Sequence, residues 1–302
     1  MEIKYGKPVT VEDVRKSEID LFLLAGNHEK RFLTCYNKIS RQNQIKKSIA
    51  LCYNSSFCRK LPTGMAKEVI GNQAEIFNLL NTLLSDNKEE YTLFVDYSCM
   101  TKPWYYSIIL YLSNKKLPFN KIKVFFSYTP SKYSPPQEPK PNSEIIPLPG
   151  KYIVPTNKPK ALIVCLGYEQ QKAEGIIEHL DPKISYIFYT KPAFDNRFVK
   201  TLEANNHSIL NDPTNKIRTY QFDDLLDLER QLTAIYENIR DDYSVIFAPL
   251  GPKPFTFISM LMSVKYPDID VWRVGSGSDI NEYRREPIND DLFLITEIVF
   301  AN

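Results

Sequence analysis

The chain has 302 residues, 43% of them hydrophobic and 25% charged, which is an ordinary globular composition with length for two cores. Its net charge is only +2, so no global field directs it to DNA or RNA duplexes or to anionic membranes, and any anion site must be local. The first residues lack the apolar stretch of a signal peptide, and no segment reaches the roughly 18 apolar residues of a membrane span. We therefore expect a cytoplasmic protein without membrane association.

The five cysteines are odd in number, follow no CxxC spacing and mostly stand inside apolar runs. This pattern predicts reduced thiols in the protein core. The residues are Cys35, Cys52, Cys58, Cys99 and Cys165.

A proline-rich segment divides the chain. Nine of the 21 prolines fall between Pro130 and Pro159, in a stretch without helical or alternating periodicity. We predict a semi-extended linker over residues 130–159, between domains at 1–129 and 160–302. The alternative is a long loop inside a single domain, although long structureless loops are uncommon in compact domains.

The two halves repeat the same pattern. IDLFLLAGNHEKR from Ile19 matches KALIVCLGYEQQK from Lys160, each as an apolar strand, a glycine and a polar helix opening. YTLFVDYSCMTKPWYY from Tyr91 matches YSVIFAPLGPKPFTF from Tyr243, each as a strand, a short loop, a Lys-Pro pair and an aromatic-rich helix. The offset grows along the chain, and we place the extra residues of the second half in the segment that starts at Asn206.

Apolar strands alternating with helices predict right-handed crossovers and buried parallel sheets. The fold class is therefore α/β, with two tandem Rossmann-like domains that have mainly parallel, doubly wound sheets and arose by internal duplication. The segment DDLFLITEIVF from Asp290 is expected to be an extra edge strand of the second domain.

The loop between Asp96 and Pro103 is the first candidate site. Ligands of parallel sheets lie beyond the carboxyl ends of strands, where helix N-termini attract anions. Pro103 suits a first helical turn, so Thr101 and Lys102 would stand at the positive end of that helix. Gly251 and Lys253 occupy the same place in the second half. The alternative is that both lysines are simply solvated.

Asp96 and Ser98 are further candidate ligand contacts of the same loop. Other strand ends add Gly26, Asn27, Gly167, Tyr168, Gly275 and Ser276 to the predicted set. Helix capping or a simple turn explains these loops equally well. Aromatic residues after the two Lys-Pro pairs could stack on bases, or they could be core residues.

No arrangement of Ser/His/Asp, Cys/His or metal ligands can be assembled at sensible spacing, so the catalytic residues stay unknown and no metal or cofactor is predicted. GNHE at Gly26 is similar to part of a metallophosphatase signature. The chain has only three histidines, which are too few for a site with two metal ions.

The loop motif resembles that of the CRISPR-associated Rossmann fold (CARF) family. Its acidic residue, hydroxyl residue and Thr-Lys pair would be Asp96, Ser98, Thr101 and Lys102, whereas Met100 stands where the family has glycine. The second half has Ala248 or Pro249 in place of the acidic residue. The resemblance implies a sensor of cyclic oligonucleotides in prokaryotic antiviral defence, acting through a separate effector protein. It also implies that the duplication mimics a dimer with one shared pocket.

Three functions stay open. The first is a sensor that binds a nucleotide or cyclic oligonucleotide, and the second is a metal-independent phosphodiesterase that degrades such a ligand, as the family resemblance implies. The third is a scaffold subunit whose ancestral pocket has degenerated.

Overall fold

The computed structural model describes residues 1–55, 58, 61–86, 88–275, 277 and 284–302. The strands in chain order are β1 (Glu2–Val9), β2 (Glu18–Gly26), β3 (Gln44–Cys52), β4 (Ala66–Val69), β5 (Glu90–Asp96), β6 (Lys121–Tyr128), β7 (Glu144–Pro147), β8 (Lys160–Cys165), β9 (Ile184–Thr190), β10 (Lys216–Tyr220), β11 (Ser244–Pro249), β12 (Asp270–Gly275) and β13 (Leu294–Ala301). The helices are α1 (Val11–Val14), α2 (Thr34–Ser40), α3 (Gln73–Leu83), α4 (Lys102–Asn114), α5 (Lys172–Leu180), α6 (Asn196–Asn205), α7 (His207–Asn211), α8 (Leu225–Ile239) and α9 (Lys253–Lys265).

Two mainly parallel sheets organise the chain. Among the described residues, the first sheet has the strand order β1-β13-β6-β5-β2-β3-β4 and the second has the order β10-β9-β8-β11-β12-β7. Each contains five parallel strands in one order, because β2, β3, β4, β5 and β6 correspond to β8, β9, β10, β11 and β12. This shared order confirms the predicted pair of Rossmann-like α/β units.

The sixth strand of each sheet comes from a different part of the chain. β13 lies antiparallel to β6, and β7 lies antiparallel to β12. The expectation that the segment after Asp290 is an edge strand of the second unit is wrong. Most of β13 is buried, and it therefore needs neighbours on both sides, which β6 and β1 supply.

The chain forms two compact units, one of residues 1–132 and 281–302 and one of residues 133–280. The last strand returns to the first unit, so that unit is discontinuous in sequence. Most of the proline-rich segment belongs to the second unit, to which it contributes β7 as an antiparallel edge strand. Outside this strand, most of the segment has no regular secondary structure.

The extra residues of the second half lie between β9 and β10. Residues 191–215 there correspond to residues 53–65 of the first half, and they contain α6 and α7. The insertion therefore begins before Asn206, where the sequence analysis expected it to start. β10 itself is the counterpart of β4, and neither of these short strands was predicted.

Local signals explain the amphipathic helices. Asn72 caps α3 by accepting a hydrogen bond from the backbone of Glu75, and α3 buries Ile76, Leu80 and Leu83 at helical spacing. α8 has the same design, with Asp224 as its cap. α3 packs on α4 and α8 packs on α9. No helix within the described ranges has the length and apolarity needed to cross a membrane.

Each unit has its own hydrophobic core. In the first, the Phe22 and Phe94 rings stack with centroids 4.7 Å apart, and in the second, Leu162, Val164 and Ile246 pack beside Ile176 of α5. All these residues are at most 5% exposed. The cores hold the strands so that their carboxyl ends share one edge in each unit.

Candidate functional site

The candidate loops of each unit meet where the strand order reverses. In the first sheet β2 lies between β3 and β5. The chain runs outward from β2 through β3 to β4, and then crosses back to β5 on the other side of β2. β8 has the same place in the second sheet, between β9 and β11. Ligands of open α/β sheets bind outside the carboxyl ends of strands at such a reversal. The predicted loops after β2, β5, β8 and β11 all lie at these positions.

The strand register shows how the two sites correspond. Leu24 of β2 is paired with Asp96, and Cys165 of β8 is paired with Pro249. If Gly26 is equivalent to Gly167, Asp96 is therefore equivalent to Pro249. The loop before α9 covers residues 250–252 and is shorter than the loop before α4, which covers residues 97–101. The second site therefore has proline at the acidic position and a shorter loop.

Asp96 and Ser98 stabilise the β5–α4 loop through buried hydrogen bonds. Asp96 is 2% exposed, and its Oδ1 accepts hydrogen bonds from the Ser98 backbone at 3.0 Å and from the Ser98 hydroxyl at 2.5 Å. The Ser98 Oγ in turn accepts a hydrogen bond from the Thr129 backbone at 2.7 Å. This chain links the end of β5 to the end of β6. In the structure, both predicted contacts are thus engaged in shaping the loop.

Arg31 is the centre of the same network. Its side chain is 1% exposed, and its guanidinium donates to Glu29 at 2.6 Å, to the Thr129 carbonyl at 2.8 Å and to the Ser98 carbonyl at 3.1 Å. Burial acts to lower the pKa of Arg31, but Tyr128, Cys99 and Glu29 raise it above its usual value, so the group stays charged. Arg31 ties three strand ends together.

Tyr53 reaches the β5–α4 loop from β3. Its hydroxyl donates to the Cys99 carbonyl at 2.8 Å, and its ring stacks on Trp104 with centroids 4.1 Å apart and planes 15° apart. Burial and the nearby Cys99 raise the pKa of Tyr53, while hydrogen bonds with Thr101 act in the opposite direction. The phenol is therefore a neutral donor near physiological pH.

Thr101 and Lys102 stand at the start of α4, as predicted. Thr101 is the N-cap residue with an extended backbone, and its side chain makes no capping hydrogen bond. Both residues are half-buried, and Pro103 lies in the first turn. Their position places a hydroxyl and an ammonium group at the positive end of a helix of 13 residues.

Gly26 and Asn27 contribute to the geometry of the first site. A Cβ atom at Gly26 would collide with the Cys58 sulfur and lie 3.3 Å from the Cys52 sulfur. The buried Asn27 side chain accepts hydrogen bonds from the backbones of His28 at 2.5 Å and Glu29 at 3.3 Å. Gly26 therefore permits a close approach, and Asn27 shapes the turn that leads to Arg31.

The glycines of the second site also allow a close approach. A Cβ atom at Gly167 would lie 2.8 Å from the Leu250 carbonyl oxygen, and one at Gly251 would lie 2.6 Å from both the Cys165 sulfur and the Leu166 carbonyl oxygen. Distances this short cannot accommodate a side chain without movement of the backbone. The loops after β8 and β11 therefore pack directly against one another.

Two asparagines support the loop after β8. Asn206 donates to the Gly167 carbonyl at 3.0 Å, and Asn205 donates to the Tyr168 carbonyl at 2.6 Å. The Tyr168 ring also packs on Phe198, with centroids 5.4 Å apart. These asparagines lie at the end of α6, inside the insertion between β9 and β10.

The last three predicted residues are Lys253, Gly275 and Ser276. Lys253 is half-buried in the first turn of α9, the counterpart of Lys102. Gly275 ends β12 and is paired with Glu144, and its carbonyl accepts hydrogen bonds from the backbone and side chain of Ser143. β7 therefore covers Gly275, and this explains the glycine better than a ligand does. Ser276 lies outside the described residues.

Sequence reasoning missed the roles of Arg31, Tyr53 and Thr129. Arg31 was noted only as part of a polar loop, and nothing local distinguishes a buried arginine from a solvated one. Tyr53 directly follows β3, so the rule that ligand loops lie at carboxyl ends would have pointed to it once that strand was recognised. Thr129 gave no signal, because its contribution is a backbone group.

The cysteines differ from the expectation of five reduced thiols. Cys52 and Cys58 form a disulfide with their Cα atoms 6.1 Å apart, whereas Cys35, Cys99 and Cys165 are buried thiols outside any disulfide. The prediction is wrong for Cys52 and Cys58, because two cysteines with a sequence separation of 6 follow no recognised motif spacing and yet lie close enough to form a bond. Across the described ranges, no group of three or more His, Cys, Asp or Glu side chains could hold a metal ion.

Comparison with known proteins adds no assignment. No protein-family model matches this chain, and no curated protein sequence matches it significantly.

Proposed function

We propose that the protein binds a nucleotide ligand at the carboxyl edges of its sheets, and that a cyclic oligonucleotide is the first class to test. The observation that carries the proposal is the position of the predicted loops, which lie in both units where the strand order reverses. Each of these edges carries a lysine in the first turn of a long helix, Lys102 in α4 and Lys253 in α9. A phosphate is the ligand group that best fits such a helix start.

The internal network supports a binding role for the first unit. Arg31, Asp96 and Ser98 hold the β5–α4 loop through buried hydrogen bonds, so the start of α4 is preorganised before any ligand arrives. A preorganised loop costs little entropy on binding. The resemblance to the CARF family adds the hypothesis that the protein acts in antiviral defence and signals to a separate effector.

The direct test is binding of labelled cyclic and linear oligonucleotides of different ring size, length and base, followed by chromatography of the recovered ligand. We expect at least one cyclic oligonucleotide to bind and to be recovered intact. Recovery of a linear product would instead assign a phosphodiesterase. Absence of binding throughout the panel would reject the sensor and favour the scaffold with a degenerate pocket.

A further inference from the structure

The Cys52–Cys58 disulfide lies next to the residue that supports the β5–α4 loop. Cys52 is the last residue of β3, and Tyr53 follows it directly. The disulfide fixes the side chain of Cys52, and its backbone carbonyl accepts a hydrogen bond from the Ile70 backbone at 2.9 Å. Both parts of the residue are therefore held. Gly26 leaves room for the bridge, because any side chain there would collide with Cys58. The bond is therefore built into the carboxyl edge of the first sheet.

Tyr53 connects this bond to the loop. Its hydroxyl donates to the carbonyl of Cys99, and its ring covers one face of Trp104 in the first turn of α4. Trp104 is only 6% exposed, so the Tyr53 ring forms part of its cover. Because Tyr53 directly follows Cys52 in the chain, a change in the backbone at Cys52 would act on the hydrogen bond and the stacking together.

We propose that Cys52 and Cys58 form a reversible, redox-sensitive disulfide that controls the position of Tyr53 and, through it, the β5–α4 loop. In the oxidised form Tyr53 holds the loop, and in the reduced form it is released. The inference concerns the loop of the proposed ligand site, but its test requires no ligand.

The chemistry is exchange with a low-molecular-weight disulfide such as oxidised glutathione. Cys58 is 5% exposed and Cys52 is fully buried, so the Cys58 thiolate attacks first and expels one small thiol. The Cys52 thiolate then attacks the Cys58 sulfur of this mixed disulfide and expels the second small thiol. The two protein thiols lose two electrons and two protons, which reduce the small disulfide to two thiols.

The test uses the fluorescence of Trp104. The only other tryptophan is Trp272, so a Trp272→Phe variant reports on Trp104 alone. After equilibration with oxidised glutathione, addition of dithiothreitol should shift the Trp104 emission to longer wavelength, because loss of the Tyr53 ring admits water. The Cys52→Ser/Cys58→Ser variant in the same background should show the reduced spectrum in both conditions. A Cys35→Ala variant, which removes a free buried thiol of the same unit, should respond as the parent does.

Mass spectrometry after alkylation in denaturant counts the free thiols in parallel. Two results would overturn the proposal: Cys52 and Cys58 remain free after treatment with oxidised glutathione, or the bond forms and the Trp104 emission does not change. If the double serine variant does not fold, as judged by circular dichroism, titration of the parent with reductant decides between the same outcomes. None of these results depends on whether an oligonucleotide binds.

Discussion

The guanidinium of Arg31 donates to the Ser98 carbonyl oxygen at 3.1 Å and so joins the loop after β2 to the loop after β5. The two residues are far apart in sequence, and each lies beside a different strand end. Because both are buried, this contact belongs to the interior of the first unit and determines how the β5–α4 loop is presented.

The first prediction concerns that contact. Arg31→Met should lower the free energy of unfolding by about 3–5 kcal/mol, because it leaves Glu29 and two buried carbonyls without their donor. Urea denaturation measures the change. Arg15→Met is the matched control, because Arg15 forms an exposed pair with Glu12 and should cost about 0–1 kcal/mol. Similar losses for the two variants would contradict a buried role for Arg31.

The second prediction concerns the central strands. Leu23→Asp in β2 or Val164→Asp in β8 should cost several kcal/mol, roughly 3 or more, because each places an unpaired carboxylate where the native residue is at most 1% exposed. Val69→Asp in the edge strand β4 is the control, because Val69 is 52% exposed. Thermal unfolding and solubility report the result. Soluble, fully stable Leu23 and Val164 variants would show that these strands are not core.

The third prediction links the helix starts to binding. Lys102→Ala or Lys253→Ala should weaken binding of a phosphate-bearing ligand by about 1–3 kcal/mol, roughly 5- to 150-fold, with little change in stability. The losses should be unequal, because only the first site has an acidic residue at the end of its strand. Isothermal titration calorimetry measures both affinities.

The controls for the third prediction lie at the other ends of the same helices. Lys115→Ala follows α4 and Lys265→Ala ends α9, so each removes one positive charge far from the helix start. We expect these controls to bind as the parent does. Equal weakening by control and test variants would mean that net charge, and not position, determines the affinity.

The fourth prediction is a pH dependence from Lys151. Its ammonium donates to the carbonyls of Ser263 at 2.6 Å and Ile269 at 2.7 Å, at the end of α9. Burial lowers the pKa of Lys151 to about 8, although Asp270 and Asp268 act to raise it. Between about pH 8 and 10.5, the unfolded chain therefore keeps a proton that the folded protein has lost. Lys151 should therefore contribute a rise in the free energy of unfolding with pH across this window, whereas the Cys35 thiol, whose pKa is raised by burial, contributes a fall.

Urea denaturation at several pH values between 8 and about 9.5 measures this effect as a difference between variants, because thiols and tyrosines contribute equally to each of them. The free energy of unfolding of Lys151→Met should rise less, or fall more, with pH than that of the parent. Lys7→Met, which removes the same charge from an exposed edge strand, should follow the parent. An identical pH dependence in all three proteins would show that Lys151 does not contribute.

Much of the fold follows from local pattern. Apolar runs of strand length alternate with helix-period segments in both halves, and this alone predicts two α/β units because each element must bury one face or both. The Lys-Pro pairs correctly predicted the starts of α4 and α9, because proline suits the first turn of a helix. β4 and β10 were not predicted, because they are short and largely exposed and therefore lack an apolar run of strand length.

Only the tertiary structure determined which residues and strands are partners. β13 lies in the first sheet, Arg31 is buried against Ser98 and Thr129, and Cys52 is bonded to Cys58. The sequence specifies that β13 is an apolar strand, but not which edge it pairs with, because backbone hydrogen bonds are the same for every partner. Likewise, the sequence predicts that an arginine shortly after a glycine is exposed to solvent, and only the structure shows that carbonyl oxygens surround it. Hydrophobic periodicity predicts the helices and strands, whereas the partners of buried polar groups depend on which strand ends the packed core brings together.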